Sequence, residues 1–199
     1  MEKLKKKYVF LIVIVTLGIV TGILFSNILS TEDSRLVTNK ITEYFNNIKD
    51  DVPINYLTNL ITSLKNNLLY LGTIWILGLS VIGLLFNNFI LFFKSFILGF
   101  SIGSIINIYL YRGIVLSFLY IFPSFLINII VFLIMTSFAN DFSLCLFNLL
   151  FKKKETKVLT LVKQYYKVLL YLSIILIISS ILETFVMPFT LKLFSFLIK

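Results

Sequence analysis

The sequence predicts an all-α, polytopic integral membrane protein with about five transmembrane helices, and its composition is the first reason. Hydrophobic residues make up 59% of the 199 residues and charged residues only 14%, whereas a soluble domain usually carries about 25% charged residues. The mean hydropathy is +1.00. Apolar runs near 20 residues, the length that crosses a bilayer as a helix, recur along the whole chain. We therefore expect one membrane domain over residues 1–199 and no separate soluble domain.

The first span is predicted at about 8–29, directly after a cluster of lysines. A secretory signal peptide would have a shorter apolar core and a small-residue cleavage site. This stretch is too long for that and ends in the sequence SNILS. We interpret it as an uncleaved transmembrane helix whose N-terminus lies in the cytoplasm.

The longest polar segment, residues 30–66, is predicted to be an outer loop that contains two amphipathic helices. Its apolar residues recur at helical spacing in two runs, and Asp50, Asp51 and Pro53 separate those runs. Such helices lie on the membrane surface or against the bundle. The apolar positions of the two runs are Val37, Ile41, Tyr44, Phe45 and Ile48, and then Leu57, Leu60, Ile61, Leu64 and Leu68.

The remaining spans are predicted from the apolar runs that follow. Asn87 and Asn88 are expected to form a tight inner turn, and Arg112 and Gly113 a short outer turn. The predicted spans cover about 68–86, 89–111, 114–138 and 168–187, with a cytoplasmic basic segment at 141–167 and an amphipathic tail at 188–199 on the outer surface.

The positions of the basic residues predict the orientation of these spans. Eleven lysines and arginines fall on the predicted inner side and seven on the outer side. Because cytoplasmic loops carry an excess of Lys and Arg, the N-terminus is expected in the cytoplasm and the C-terminus outside.

Charged residues near the ends of the spans allow two ion pairs. Lys94 is expected near the cytoplasmic end of the third span, where its ammonium can reach the membrane interface or pair with Asp141. Arg112 and Glu183 are both expected near the outer surface. We predict that at least one of the pairs Lys94–Asp141 and Arg112–Glu183 forms.

Small residues recur every four positions on two of the spans. Small side chains allow the backbones of two membrane helices to approach closely. The two stripes are compatible with packing inside the chain or with contact to the transmembrane helix of a partner. They comprise Gly18, Gly22 and Ser26 on the first span, and Ser95, Gly99 and Gly103 on the third.

Pro123 is predicted to kink the fourth span, because proline removes a backbone donor from a helix. Ser124 and Asn128 could satisfy a carbonyl freed in this way. The kink is compatible with simple packing, a hinge or the wall of a cavity.

The sequence lacks the groups that most catalytic mechanisms need, so we expect no enzyme, no metal and no cofactor. It contains no histidine and a single cysteine, Cys145. No glycine-rich phosphate loop is present, and Asp50 and Asp51 adjoin a proline in a break rather than forming an acid–base pair. The net charge of +9 does not indicate nucleic-acid binding, since the basic residues lie mostly at the ends of apolar segments.

Four stretches together resemble one family, stage II sporulation protein M of endospore-forming bacteria. Their order, spacing and five-span layout agree with the family over nearly the whole chain. The wider family often has Asn-Gly near the inner turn and Pro-His-Gly in the fourth span, where this chain has Asn88-Phe89 and Pro123-Ser124. The stretches are WILGLSVIG (75–83), FFKSFILGFSIG (92–103), GIVLSFLYIFPSFLIN (113–128) and ILETFVMPFTLKL (181–193).

The resemblance implies a role in engulfment, when the mother cell membrane migrates around the forespore. In that family the M protein is a component of a membrane complex with stage II sporulation proteins D and P, which degrade peptidoglycan, and it is thought to hold them at the septum. The implied location is the mother cell membrane at the sporulation septum. Membrane lipids and a possible homo-oligomer complete the expected partners. The residues that we expect to form an outer docking surface are Ile41, Phe45, Leu57, Ile61 and Pro188.

Two other functions are weighed against this scaffold. A permease subunit for a small solute would need a polar cavity near the middle of the membrane, for which Asn107, Asn128 and Thr136 are candidates. Ion-coupled transport usually also needs ionisable residues there, and five spans give no obvious inverted repeat. A protein that binds anionic lipid headgroups through residues 152–154 is the third possibility, although such a cluster more often sets orientation.

Overall fold

Eight α-helices and one π-helical turn make up the part of the chain that the computed structural model describes. The described residues are 2–50, 52–53, 55–121, 124–152 and 158–194. The helices are α1 (Glu2–Ser26), α2 (Thr31–Lys49), α3 (Tyr56–Gly78), α4 (Gly83–Tyr109), α5 (Tyr111–Ile121), α6 (Phe125–Lys152), α7 (Val158–Ile181) and α8 (Met187–Leu193), with the π-helical turn at Leu182–Val186. No strand occurs among these residues, so the predicted all-α class is confirmed.

Helices α1 and α4 run side by side in the same direction. Gly18 lies against Ser95 and Gly103 lies against Ser26, so the contacts advance together along both helices. Helix α3 runs opposite to α7, because Asn67 contacts Ser180 and Trp75 contacts Tyr165. We call the end of the bundle where α1 begins the proximal end, and the end where α1 finishes the distal end.

The long helices confirm a multi-pass membrane protein. Among the described residues, four helices are long and apolar enough to cross a membrane: Lys5–Ser26, Gly83–Tyr109, Phe125–Phe151 and Thr160–Leu193. Helix α3 also runs from the distal to the proximal end, and its 23 residues measure about 34 Å. It is less apolar than the other four because Lys65, Asn66 and Asn67 lie within it.

Two apolar clusters hold the bundle together. The central cluster includes Leu71, Leu91, Phe132 and Leu176, contributed by α3, α4, α6 and α7. The distal cluster joins α2 and α8 to the ends of α4 and α5. It consists of Phe45, Ile48, Ile105, Leu116, Met187 and Leu191, each buried.

The inner turn lies eight residues earlier than predicted. Helix α3 ends at Gly78 and α4 begins at Gly83, so residues 68–86 are not one span. A β-carbon at Gly83 would collide with the Leu77 carbonyl oxygen, and this close approach favours glycine at the turn. Asn88 instead lies inside α4 and accepts a hydrogen bond from Asn140 of α6 at 2.9 Å.

The outer turn and the fourth span also differ from the prediction. The chain turns at Leu110, whose φ of 51° is rare for a non-glycine residue, while Arg112 and Gly113 belong to α5. Two helices, α5 and α6, replace the single span predicted at 114–138. Pro123, the predicted kink, lies outside the described residues.

The outer loop is helical as predicted, but its two helices have different roles. Helix α2 packs Phe45 and Ile48 into the distal cluster. The second predicted amphipathic helix is the first part of α3 and continues into the bundle without a break. In the tail, α8 buries Pro188 and Leu191 rather than lying free on a surface.

Candidate functional site

The two stripes of small residues pack against each other. A β-carbon at Gly18 would lie 2.6 Å from the Phe92 carbonyl oxygen, and one at Gly99 would lie 2.7 Å from the Ile19 α-carbon. Gly22 likewise faces the backbone of α4 next to Gly99. Helices α1 and α4 are therefore in backbone contact along this seam.

The contact between the two stripes distinguishes packing inside the chain from contact with the transmembrane helix of a partner. Ser26 and Gly103 form the distal end of the same seam, and Asn107 donates a hydrogen bond to the Ser26 hydroxyl at 3.4 Å. Each small residue of one stripe faces the other stripe, so the seam is packed inside the chain. A partner helix could use it only if α1 separated from α4.

The acidic residue near the proximal end pairs with a different lysine from the one predicted. Asp141 of α6 forms an ion pair with Lys7 of α1, at 2.5 Å between the lysine Nζ and the Asp141 Oδ2. The expected Lys94–Asp141 pair is therefore wrong. Because α1 runs parallel to α4 from the proximal end, Lys7 lies at the level of Asp141, whereas Lys94 lies higher in the bundle.

Lys94 lies near the middle of α4, at the twelfth of its 27 residues. Its ammonium is 4.2 Å from the centroid of the Tyr70 ring and 5.5 Å from the centroid of the Phe132 ring. Aromatic faces attract a cation at such distances. Lys94 thus lies among side chains of the bundle at mid-depth, not at the membrane interface as the sequence suggested.

Glu183 lies in the π-helical turn that joins α7 to α8. Its Oε2 accepts a hydrogen bond from the Ser63 hydroxyl of α3 at 2.6 Å. Glu183 is the acidic residue whose charge acts on Lys94, but the two side chains are not in direct contact. The structure describes no Glu183–Arg112 ion pair, so the second predicted pair is also not found.

A chain of hydrogen bonds links Glu183 to the interior through three helices. Asn128 of α6 donates to the Asn67 Oδ1 at 3.4 Å. Asn67 donates to the Ser180 hydroxyl at 3.2 Å and to the Ser63 hydroxyl at 3.4 Å. Ser63 then donates to Glu183. Along the path from Asn128 through Asn67 and Ser63, each donor points towards the carboxylate, while the bond from Asn67 to Ser180 is a side branch.

The interior end of this chain has an acceptor without a partner. The Asn128 Oδ1 is buried and receives no hydrogen bond among the described residues, and the Ser124 hydroxyl nearby is in the same state. An unpaired buried polar atom is costly, particularly at membrane depth. The Asn128 Oδ1 and the Glu183 carboxylate are acceptors only, whereas the Ser124 hydroxyl can both donate and accept.

A cavity of about 220 Å³ opens at the distal end beside the carboxylate. Its walls come from α2, α3, the π-helical turn and α8. Polar residues line most of it, and Tyr44, Met187 and Pro188 supply an apolar side. The polar lining consists of Asn59, Thr62, Ser63, Asn66, Glu183 and Thr184.

The predicted docking residues do not form one exposed surface. Phe45 is 1% exposed and lies in the distal cluster. Pro188 is buried, and Ile41 packs partly buried against the same cluster. Leu57 and Ile61 are 70% and 56% exposed, respectively, on the first turns of α3. Leu57 and Ile61 are therefore accessible to a partner, whereas Ile41, Phe45 and Pro188 stabilise the fold.

Thr136, one of the midspan candidates, is buried and its hydroxyl has no partner among the described residues. Asn107 lies on the α1–α4 seam and not in the polar cluster. Within the described parts of the chain, no group of three or more His, Cys, Asp and Glu side chains could hold a metal ion.

Ser63, Asn67 and Ser180 are the site residues that the sequence analysis missed. A signal for them exists, because Ser63 and Asn67 are four residues apart and so share one face of α3, and Ser179, Ser180 and Glu183 interrupt an apolar run. These residues stand out only when the polar positions on the buried face of each predicted helix are considered.

Comparisons with known proteins agree with the predicted resemblance. The family model described as stage II sporulation protein M matches residues 11–188. No curated protein and no solved structure matches the chain. Since the match covers most of the five long helices, the predicted family is confirmed and the chain belongs to the stage II sporulation protein M family, which makes it a sporulation-related membrane protein.

Proposed function

We propose that this protein is a non-enzymatic membrane scaffold of engulfment, which recruits stage II sporulation proteins D and P and holds them at the septum. In this proposal its N-terminus lies in the cytoplasm, its distal end faces outward, and the two hydrolases dock there. The family match supports the biological setting, and the excess of basic residues on the predicted inner side supports the orientation.

The observation that carries the proposal is the way the distal end is built. Helices α2 and α8 fold onto the ends of α4 and α5 through the distal cluster. They cover the bundle with a helical cap instead of a free loop. A rigid cap of this kind offers partners a preorganised surface, and preorganisation reduces the entropy cost of binding.

The experiment is co-purification of this protein with the two hydrolases, with variants chosen from the described surface. Leu57→Ser and Ile61→Ser change exposed side chains of the distal part of α3, so we expect retention of the hydrolases to fall at least fivefold while the protein level stays unchanged. Ile41→Ser and Phe45→Ser are unsuitable because they would disturb the distal cluster.

Ile76→Ser is the matched control for Ile61→Ser. Ile76 is on the same helix and is 63% exposed, but it lies near the proximal end. Retention should survive this change. Loss of retention in both variants would indicate a general effect on α3. Failure of the unaltered protein to retain either hydrolase after crosslinking in native membranes would contradict the scaffold.

A permease subunit is the second candidate, and the buried polar cluster favours it. Lys94 lies at mid-depth beside Tyr70 and Phe132, and Asn67 and Asn128 lie about one turn nearer to Glu183 on the same two helices. Ionisable residues at that depth often mark transport paths. Solute-dependent stabilisation of the purified protein, lost in Lys94→Met, together with uptake into proteoliposomes, would bring this candidate ahead of the scaffold.

A further inference from the structure

The distal cavity beside Glu183 has the properties of a binding site that neither the family nor the scaffold explains. We propose that it binds a primary ammonium group, with the carboxylate as the anchor and the alkyl stem of the ligand against Tyr44, Met187 and Pro188. The ligand class follows from the charge, the hydrogen-bond inventory and the shape of the cavity.

The carboxylate has capacity for a further donor. Glu183 accepts one described hydrogen bond, through Oε2 from Ser63, whereas a carboxylate can accept about four. No lysine or arginine among the described residues forms an ion pair with it. A partly buried carboxylate without a cation in direct contact is costly in a membrane protein, so an incoming cation would gain more here than on an open surface.

The hydrogen-bonded chain behind the carboxylate favours a donor rather than an acceptor as ligand. Along the path from Asn128 through Asn67 and Ser63, the donors point towards Glu183 and place the positive ends of their dipoles at the carboxylate, which holds it in position as an acceptor. An ammonium offers three donors and no acceptor, so it matches the acceptor capacity that the carboxylate keeps.

The backbone at the site points to function independently of the side chains. Residues Leu182–Val186 form a π-helical turn inside an otherwise α-helical segment. Such turns are rare and often occur at functional sites. Here the turn carries Glu183, which forms part of the cavity wall.

The cavity has room for an ammonium and its first methylene groups. Its volume is about 220 Å³, and its apolar wall is formed by side chains from α2 and α8, with the carboxylate on the π-helical turn that directly precedes α8. A ligand therefore meets a polar and an apolar surface at once. A lysine side chain of a docked protein and a free alkylamine share this chemistry.

The first test measures binding of n-butylammonium to the full chain in lipid nanodiscs. The readout is the rise in the thermal unfolding midpoint with ligand concentration at fixed pH, because a ligand that binds the folded state raises it. Tetramethylammonium has the same charge but no N–H donor, and 1-butanol has a similar stem without charge. We expect a saturable rise with butylammonium alone. Equal rises with all three probes, or none, would overturn the proposal.

Two charge variants are expected to act in opposite directions. Glu183→Gln should weaken butylammonium binding at least tenfold, while Lys94→Met should strengthen it about threefold, because Lys94 is a cation whose charge interacts with Glu183 through an interior of low dielectric constant. Glu43→Gln is the matched control, since Glu43 is exposed on α2 at the same end. Equal affinity in Glu183→Gln and Glu43→Gln would overturn the site.

Thr62→Phe keeps the test decisive if Glu183→Gln does not fold. Thr62 is exposed and lines the cavity, and its hydroxyl bonds only to the Thr58 carbonyl of its own helix. A phenyl ring there should fill the cavity without changing any charge. Butylammonium binding should be lost, and undiminished binding would overturn the proposal.

A second experiment tests whether the ammonium group belongs to a lysine of a docked hydrolase or to a free amine. Only this distinction rests on the proposed scaffold function. If butylammonium or Glu183→Gln releases a retained hydrolase and Glu43→Gln does not, the ligand is a lysine of that hydrolase. If a retained hydrolase is unaffected, the source is a free amine. If the unaltered protein retains no hydrolase but still binds butylammonium, the scaffold fails and the ammonium site remains.

Discussion

The α1–α4 seam and the polar cluster between α3, α6 and the π-helical turn join membrane helices in opposite ways. At the seam, glycines bring two backbones into direct contact and leave no space. In the polar cluster, Asn67 and Asn128 hold helices together by a hydrogen bond, the Asn128 Oδ1 stays unpaired, and a cavity opens beside Glu183. Both regions lie in the same bundle of long helices.

The difference shows which region has the capacity for further interactions. Lipid tails are as apolar as leucine, so close packing is a main source of stability between membrane helices. At the seam, the backbones of α1 and α4 are already in close contact, so no further packing can be gained there. The polar cluster binds its helices less tightly and retains an unused carboxylate oxygen and an unpaired amide oxygen. We therefore expect the seam to determine stability and the polar cluster to determine binding.

The largest effect is expected at the seam, from Gly99→Ala. The added methyl would meet the backbone of Ile19 in α1, and the resulting overpacking should cost about 1–3 kcal/mol of unfolding free energy. SDS titration of the purified protein measures this. Gly72→Ala is the matched control, because nothing lies within 4 Å of the added carbon. Equal unfolding free energies of Gly99→Ala and Gly72→Ala would contradict the proposed role of the seam in stability.

A smaller effect is expected in the polar cluster, from Asn67→Ala. The change leaves the Asn128 amide without its described acceptor, which should cost about 1–2 kcal/mol. A double-mutant cycle with Asn128→Ala should give a coupling of about 0.6 kcal/mol. Ser101→Ala is the control, since that hydroxyl bonds within its own helix. A coupling of zero would mean that the two amides do not interact.

Tyr165→Phe tests a proximal contact that combines both kinds of interaction. The Tyr165 hydroxyl donates to the Trp75 carbonyl at 2.9 Å, and its ring stacks on Phe142 with centroids 4.9 Å apart. Removing the hydroxyl keeps the stacking and should cost about 1 kcal/mol. Thermal unfolding in detergent measures this loss. An unchanged midpoint would show that ring stacking of Tyr165 on Trp75 and Phe142 holds α7 to α3 and α6 without the hydroxyl.

The smallest effect is expected for the ion pair at the proximal end. Asp141→Asn removes the partner of Lys7, but the Asp141 side chain is 57% exposed. Solvent screens such a pair, so the cost should be about 0.5 kcal/mol and should shrink in high salt. Unfolding titrations at two salt concentrations check this. A loss as large as that of Gly99→Ala would reverse the proposed ranking.

The sequence alone is sufficient to predict the all-α membrane class, the family and most of the helical segments. These follow from the lengths of apolar runs and from local patterns, which depend on neighbouring residues and on the bilayer. The stripes at Gly18 and Gly99 were also visible, because spacing by four places residues on one face of a helix. Their mutual contact was not, since the sequence does not state which helix lies beside which.

The pairing of the charged and polar residues, in contrast, depends on how the helices pack against one another. Asp141 pairs with Lys7, 134 residues away along the chain, because α1 lies parallel to α4 and reaches α6 at the proximal end. Ser63, Asn67 and Asn128 meet Glu183 because α3, α6 and α7 cross at the distal half of the bundle. Periodicity gives the buried face of each helix, but the neighbour on that face depends on the packing of the whole bundle, and that packing created the cavity beside Glu183.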